Sequence, residues 1–173
     1  MHYEYVEYVS GSRYHSQYFT YCVFYTKRFS AKLRWLNLEG DLNNIYGPAL
    51  IRFRPNGTIL RAEYWIDADH RNDYGPAVKK YYPDGTIACI EHRIHSELHN
   101  EHGPALITYH SNGTISSIGY FHQDMPHNEH EPAIIRYSTD GTIISALYYF
   151  MGQCLTKAQH RARHVKPRRI LKS

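Results

Sequence analysis

Apolar and polar positions alternate in short runs along this chain, and glycine-containing turns separate the runs in pairs. In residues 76–94 the run PAVKKYY is followed by PDGT and then by TIACIEHRI. Alternation over roughly four to eight residues is typical of a half-buried strand, and Asp-Gly between two such runs is typical of a hairpin turn. The pattern therefore predicts two extended strands joined by a tight turn.

The same pattern returns at a constant interval. Pro-Ala pairs recur every 28 residues, and a Gly-Thr turn follows each pair. The glycines of these turns are Gly57, Gly85, Gly113 and Gly141. Glycine suits the turn because it reaches positive φ without a Cβ clash. Residues 19–46 fit one period earlier but lack the Gly-Thr turn, as terminal units of repeat proteins often do.

This period divides the chain into an ordered set of segments. They are an N-terminal capping segment (1–18), a degenerate repeat (19–46), four repeats (47–74, 75–102, 103–130 and 131–156) and a basic C-terminal arm (157–173). A lone hairpin is marginally stable in water, so units of this kind are stabilised by stacking. The predicted fold class is all-β: a single-layer, twisted stack of about five hairpins with a basic, short-helical C-terminal tail.

Equivalent positions of the repeat predict which side chains are buried. One column is pure isoleucine and one is pure alanine: Ile59, Ile87, Ile115 and Ile143, and Ala49, Ala77, Ala105 and Ala133. We expect both columns to form ladders inside the stack, because equal residues on neighbouring strands cover each other's flanks. The 17 tyrosines are interpreted either as packing residues of the strands or as an exposed binding stripe.

A column of asparagines has two interpretations. Its members are Asn44, Asn72, Asn100 and Asn128. The amides form either a structural ladder that satisfies backbone groups of their own and neighbouring turns, or a row that binds a ligand.

The repeat resembles a known family. The cycle of an aromatic strand, a His-containing turn, a Gly-Pro entrance and YYPDGT is similar to MORN-type repeat proteins, in particular to the divergent Gly-Pro-Ala variant frequent in giant DNA viruses. The resemblance covers about residues 19–152 and is carried by His99, Asn100, Gly103, Pro104, Ala105, Tyr109, Asn112, Gly113 and Thr114. It implies a single-layer hairpin stack with a scaffold or docking role, including a place in virus particles.

Composition adds an expected location. The chain has 173 residues, of which 42% are hydrophobic, but no apolar run approaches the roughly 20 residues of a membrane span. Its start lacks the basic flank and apolar stretch of a secretory signal. We expect an intracellular protein that is not secreted, and a virion location if the viral resemblance holds. Cys22, Cys89 and Cys154 occupy unrelated repeat positions and predict unpaired thiols.

Two HNEH segments are the main candidates for chemistry. They span His99 to His102 and His127 to His130. Two histidines three residues apart can bind a metal on a helix, but these segments are predicted turns. Glu101 and Glu129 occur once per unit and do not form a close acid–base pair. We therefore expect no enzyme, no cofactor, no metal and no small-molecule substrate.

The positive charge is concentrated at the C-terminal end. The arm contains no acidic residue, and its basic residues are Lys157, Arg161, Arg163, Lys166, Arg168, Arg169 and Lys172. The formal charge of the whole chain is +4, so the rest carries about −3. Thr156 is a candidate N-cap of a short helix reaching toward Val165. The arm is interpreted as a solvated terminus, as an insert into an acidic protein, or as a contact for nucleic acid or an anionic membrane.

These observations predict a non-enzymatic structural scaffold whose partners are other proteins or further copies of itself, and the resemblance implies that it is a component of a large viral assembly. The alternative is a polyanion-binding module that binds nucleic acid or anionic lipid through the C-terminal arm. A stack of hairpins has two open strand edges, and such an edge favours association by strand addition.

Overall fold

The structure is a computed structural model that describes residues 5–9, 19–25, 30–37 and 39–163. These residues form sixteen strands and one short helix. The strands are β1 (Tyr5–Val9), β2 (Phe19–Tyr25), β3 (Ser30–Leu36), β4 (Leu50–Phe53), β5 (Ile59–Glu63), β6 (Val78–Tyr81), β7 (Ile87–Glu91), β8 (Arg93–Ile94), β9 (Glu97–Leu98), β10 (Leu106–Tyr109), β11 (Ile115–Gly119), β12 (Phe121–His122), β13 (Met125–Pro126), β14 (Ile134–Tyr137), β15 (Ile143–Phe150) and β16 (Gln153–Leu155), and the helix is α1 (Lys157–Ala162).

Most of these strands belong to one antiparallel sheet that does not close into a barrel. Its 12 strands follow the order β1-β2-β3-β4-β5-β6-β7-β10-β11-β14-β15-β16. The pairs β8–β9 and β12–β13 form two small separate sheets. The predicted all-β class and the short C-terminal helix are confirmed. In the part of the chain that is described, no helix has the length and apolar character needed to cross a membrane.

The main hairpins β4–β5, β6–β7, β10–β11 and β14–β15 share one construction. Each has a register shift just before its turn, as between Lys80 and Tyr81 of β6. The turn glycines have φ between +82° and +88°, a region that glycine adopts at little cost. In the second of these hairpins the carboxylate of Asp84 accepts hydrogen bonds from the amide (2.9 Å) and hydroxyl (2.7 Å) of Thr86. The turn is thus fixed by both backbone and side chain.

The second run of the second and third repeats differs from the single strand that alternation predicts, whereas in the fourth repeat it is one strand, β15. In residues 86–94, the strand ends at Glu91, and β8 and β9 then form a small hairpin. Its turn, His95-Ser96, has φ of +51° and +66°, which is the sign combination of a type I′ turn. The equivalent turns are Asp67-Ala68, Gln123-Asp124 and Met151-Gly152. Three of these four pairs lack glycine, so the residues at these positions did not indicate a turn.

The alanine column lies inside the fold and the isoleucine column does not. Ala49, Ala77, Ala105 and Ala133 are all 0% exposed, whereas the isoleucines are 37–58% exposed. The expectation of a buried isoleucine ladder was therefore wrong. Ile87 pairs with Tyr81, but the neighbouring strand β10 reaches only as far as Cys89. The isoleucines lie next to the turn, beyond the neighbouring strand that would cover them.

Cross-strand pairing places two rows of side chains on the same face of the sheet. From β3 onward, row one comprises Arg34, Leu50, Glu63, Val78, Glu91, Leu106, Gly119, Ile134 and Leu147. Row two comprises Lys32, Arg52, Arg61, Lys80, Cys89, Thr108, Ser117, Arg136 and Ser145. Corresponding members of the two rows are two residues apart along each strand, which puts them on one face.

Helix α1 packs against the last strands. The predicted N-cap is confirmed: the hydroxyl of Thr156 accepts a hydrogen bond from the amide of Gln159 at 3.2 Å. His160 is fully buried, with its Nε2 2.7 Å from the carbonyl of Asn128 and its ring 5.2 Å from that of Tyr148. The helix ends at Ala162, before Val165, which lies outside the described residues.

Candidate interaction sites

Each asparagine of the repeated column bonds within its own turn. The side-chain nitrogens of Asn44, Asn72 and Asn100 donate to the carbonyl four residues later, at 3.0–3.1 Å. The side-chain oxygens of all four asparagines accept from the amide two residues later, at 3.0–3.1 Å. In the first three turns both ends of the amide are therefore used by the backbone of the same turn. These contacts favour a structural role over a ligand-binding one.

The first histidine of each HNEH segment contacts the next small hairpin. His99 Nδ1 accepts a hydrogen bond from the amide of Gln123 at 3.3 Å, and His127 Nδ1 accepts one from Met151 at 3.2 Å. Gln123 and Met151 each begin a turn with positive φ. The ring therefore satisfies a backbone amide that the type I′ turn leaves without a strand partner.

The second histidines of the HNEH segments, His102 and His130, are exposed.

Grooves lie between successive asparagine turns, with volumes of about 190, 420 and 520 Å³. The largest groove contains His122 and His127, whose ring centroids are 6.1 Å apart. Burial, followed by the charge of His122, lowers the pKa of His127. In the described part of the chain, no three His, Cys, Asp or Glu side chains are arranged to hold a metal ion.

Two carboxylates are buried in row one, and sequence analysis did not identify them. Glu63, 4% exposed, has Arg52 Nε at 3.2 Å, Arg61 Nε at 3.0 Å and His70 Nε2 at 3.9 Å. Arg52 and Arg61 lie in row two, on either side of this carboxylate. Glu63 thus neutralises part of the charge of two opposed arginines. A comparison of the repeats would have revealed the charge of Glu63, because the third and fourth repeats hold Gly119 and Leu147 at the equivalent positions.

Glu91 is the equivalent residue one repeat later. It contacts Lys80 Nζ at 2.6 Å and both Nε (2.9 Å) and Nη2 (2.8 Å) of Arg93. Burial alone would raise the pKa of this carboxyl, but the hydrogen bonds and charges of Lys80 and Arg93 bring the pKa of Glu91 below its ordinary value. The carboxylate is therefore ionised within the fold at neutral pH.

His70 packs between the aromatic and charged groups of this region. Its ring is parallel to that of Trp65, with centroids 4.2 Å apart. Burial lowers the pKa of His70 to about 4, against a smaller opposing effect of Glu63. The imidazole is therefore neutral at physiological pH. It adds no positive charge to the cations around Glu63.

The third and fourth repeats hold the neutral residues Gly119 and Leu147 at the positions equivalent to Glu63 and Glu91. The ring of Phe121 lies beside Gly119, where a Cβ would come within 2.5 Å of Phe121 Cε2. In row two, the hydroxyl of Thr108 is 2.6 Å from that of Ser117. The space occupied by a carboxylate in the earlier repeats is thus partly filled by an aromatic ring.

The basic arm is described only in part. Lys157 and Arg161 are exposed on α1, and Arg163 Cζ lies 3.1 Å from the centroid of the Phe150 ring. The other four basic residues, Lys166, Arg168, Arg169 and Lys172, lie outside the described residues, as does Gly11 of the N-terminal capping segment. The cation–π contact of Arg163 and the buried His160 hold the beginning of the arm against β15.

The last long strand has an open edge. Each of β5, β7 and β11 pairs with a following strand, whereas residues 143–147 of β15 pair only with β14 among the described residues. Ile143 and Ile144 on this strand are 58% and 69% exposed. Such a strand presents backbone groups and apolar surface for pairing with another chain.

The fold and these sites define an all-β protein built on one open antiparallel sheet, with turn contacts that repeat along the chain. No family model, no curated protein and no solved structure matches it.

Proposed function

We propose that this protein is a non-enzymatic structural scaffold that associates with other proteins, beginning with a second copy of itself. The observation that carries the proposal is the edge of β15 at residues 143–147, which have no following partner strand among the described residues and include the exposed Ile143 and Ile144. Strand addition at such an edge supplies backbone hydrogen bonds and covers apolar side chains in one step.

The direction of the strands favours a particular arrangement. β1 and β15 are separated by an even number of antiparallel steps, so the two run in the same direction. A copy added head to tail by translation would place its β1 parallel to β15. A two-fold axis instead places two copies of β15 antiparallel, as in the rest of the sheet, and twofold dimers are the commonest symmetric assemblies. We therefore propose a β15–β15 dimer.

The finer description of the fold is a MORN-like solenoid of about five repeats of 28 residues. Its support is the recurrence of the hairpin register, the buried alanine and the asparagine turn at that interval. A place in a large viral assembly, as a virion or capsid-associated component, is supported by the resemblance of the repeats alone. Detection of the chain in purified particles with a specific antibody would test it.

The scaffold proposal is tested by measuring the mass of the full chain by light scattering over a range of concentrations. We expect a dimer that the change Ile144→Lys weakens, because a charged side chain on an edge strand opposes strand pairing. Leu60→Lys is the matched control: Leu60 holds the equivalent position on β5, which pairs on both sides. A monomer at all concentrations, or a dimer unaffected by Ile144→Lys, would count against the edge as the assembly site.

The alternative function is a polyanion-binding module that uses the C-terminal arm. It is favoured by the seven basic residues after Thr156 and by the exposure of Lys157 and Arg161. Because His160 anchors α1 to the sheet, the informative truncation ends at Arg163 and keeps the helix. If this shortened chain loses binding to a DNA duplex that the full chain binds at low salt, the arm is a polyanion site.

A further inference from the structure

Row two begins with four opposed cations. Lys32, Arg52, Arg61 and Lys80 lie directly opposite one another on β3, β4, β5 and β6. Like charges in directly opposite positions destabilise a sheet. The fold does not require them, since Cys89, Thr108 and Ser117 continue the same row on β7, β10 and β11. A local rule broken without benefit to folding is expected at functional sites.

Buried carboxylates hold three of these four cations in place: Arg52, Arg61 and Lys80. Glu63 contacts the Nε atoms of both Arg52 and Arg61 from row one, while Glu91 contacts Lys80. The side chains of Arg52, Arg61 and Lys80 are nevertheless 42%, 30% and 41% exposed. Each cation is therefore oriented by a buried group and still reaches solvent. Fixed guanidinium groups bind carboxylates with less loss of side-chain entropy than mobile ones.

The positive charge is not cancelled within the group. With Arg93, which also contacts Glu91, and Arg34, which lies opposite Leu50 in row one, six cations and two carboxylates lie on this part of the face, and His70 is neutral. The excess is therefore four positive charges. A ligand with about four negative charges would balance it.

The length of the row limits the ligand. Three inter-strand steps of about 4.8 Å give a row of roughly 14 Å. Beyond Lys80 the next three positions of the row, Cys89, Thr108 and Ser117, are uncharged, and the next cation is Arg136 on β14. A nucleic acid strand carries charge continuously and would extend past the end of the four cations. A short acidic segment of a protein matches both the length and the charge.

We infer that the four-cation row, defined as Lys32, Arg52, Arg61 and Lys80, is a docking site for a short acidic segment of a partner protein. Asp or Glu carboxylates of that segment pair with the guanidinium groups of Arg52 and Arg61, in the geometry that arginine forms with carboxylates, and with the ammonium groups of Lys32 and Lys80 as point charges. The site is separate from the edge of β15 and from the C-terminal arm. A partner bound here leaves the dimerisation edge accessible.

The test measures binding of a fluorescein-labelled oligoglutamate peptide to the full chain by fluorescence anisotropy at low salt, with an oligoglutamine peptide as the neutral probe. We expect binding of the acidic probe only. Arg52→Gln should weaken it about threefold and the double change Lys32→Gln with Arg52→Gln about tenfold. Arg52→Lys should keep most of the affinity. Arg136→Gln, on β14 in the same row, is the matched control and should change nothing.

Two further measurements keep the result interpretable. Thermal unfolding shows whether each variant is folded; should Arg52→Gln fail, Lys32→Gln serves alone, because no ion pair of Lys32 is found among the described residues. A single-stranded oligonucleotide of matched charge is measured in parallel. Equal affinity of the acidic peptide for the wild type and the folded row variants would overturn the proposal. So would a row-dependent preference for the oligonucleotide. The dimer measured by light scattering is a separate readout, so either proposal can fail alone.

Discussion

Residues 47–102 and residues 103–156 have the same backbone plan and different side-chain chemistry on one face. Both halves contain two main hairpins with a register shift before the turn, and both bury the repeated alanines completely. In the first half, row one contains Glu63 and Glu91, whereas the second half has Gly119 and Leu147 there. The repeated turns and small residues therefore determine the hairpin geometry, and row one can vary in charge and size.

The largest expected effect comes from placing a carboxylate in the neutral half. Gly119→Glu should destabilise the fold by about 4 kcal/mol, because the new Cβ overlaps the ring of Phe121 and the buried charge lacks the arginine partners of Glu63. Urea denaturation would measure the change. Gly119→Ala isolates the steric part and should cost about 2 kcal/mol. If Gly119→Glu and Gly119→Ala are equally stable, a buried charge at this position adds no cost, and the second half tolerates a carboxylate as well as the first.

The reverse change removes a carboxylate from the charged half. Glu63→Gln should cost about 3 kcal/mol, because it leaves Arg52 and Arg61 opposed without the ionised group between them. The measurement is again the free energy of unfolding in urea. Glu101→Gln, at an exposed turn position, is the control and should change stability by less than about 0.5 kcal/mol. A neutral result for Glu63→Gln would mean that the arginines are adequately solvated.

Acid should affect the charged half through His70. Its pKa is about 4 in the fold, against 6.5 ordinarily, so the unfolded chain takes up a proton first as the pH falls. His70 therefore leaves the stability unchanged above pH 6.5 and lowers it as the pH falls from 6.5 to 4. At pH 5 the loss is about 2 kcal/mol. The urea midpoint measured from pH 8 to pH 5 should fall less in His70→Gln than in the wild type. His95→Gln, at an exposed position, should follow the wild type.

The sequence predicted the parts of this fold that depend on local rules. Glycine turns, the alanine column and the Thr156 cap were identified because each follows from the geometry of a few neighbouring residues. The isoleucine column was assigned wrongly, because its exposure depends on where the next strand ends. The type I′ turns were missed because His95-Ser96 carries no glycine signal. The four-cation row depends on cross-strand register, which connects Lys32 and Lys80 across nearly 50 positions of the chain.

The smallest expected difference concerns the asparagine turns. Asn100 donates a hydrogen bond from Nδ2 to the carbonyl of Pro104 at 3.0 Å, whereas the described side-chain hydrogen bonds of Asn128 use only its oxygen. Asn100→Asp should therefore cost about 1 kcal/mol, the contribution of one hydrogen bond, and Asn128→Asp less than about 0.5 kcal/mol. Both aspartates keep the oxygen that accepts from the amide two residues later. Equal losses in urea denaturation would contradict this prediction and would show that the amide donor stabilises the last turn as well.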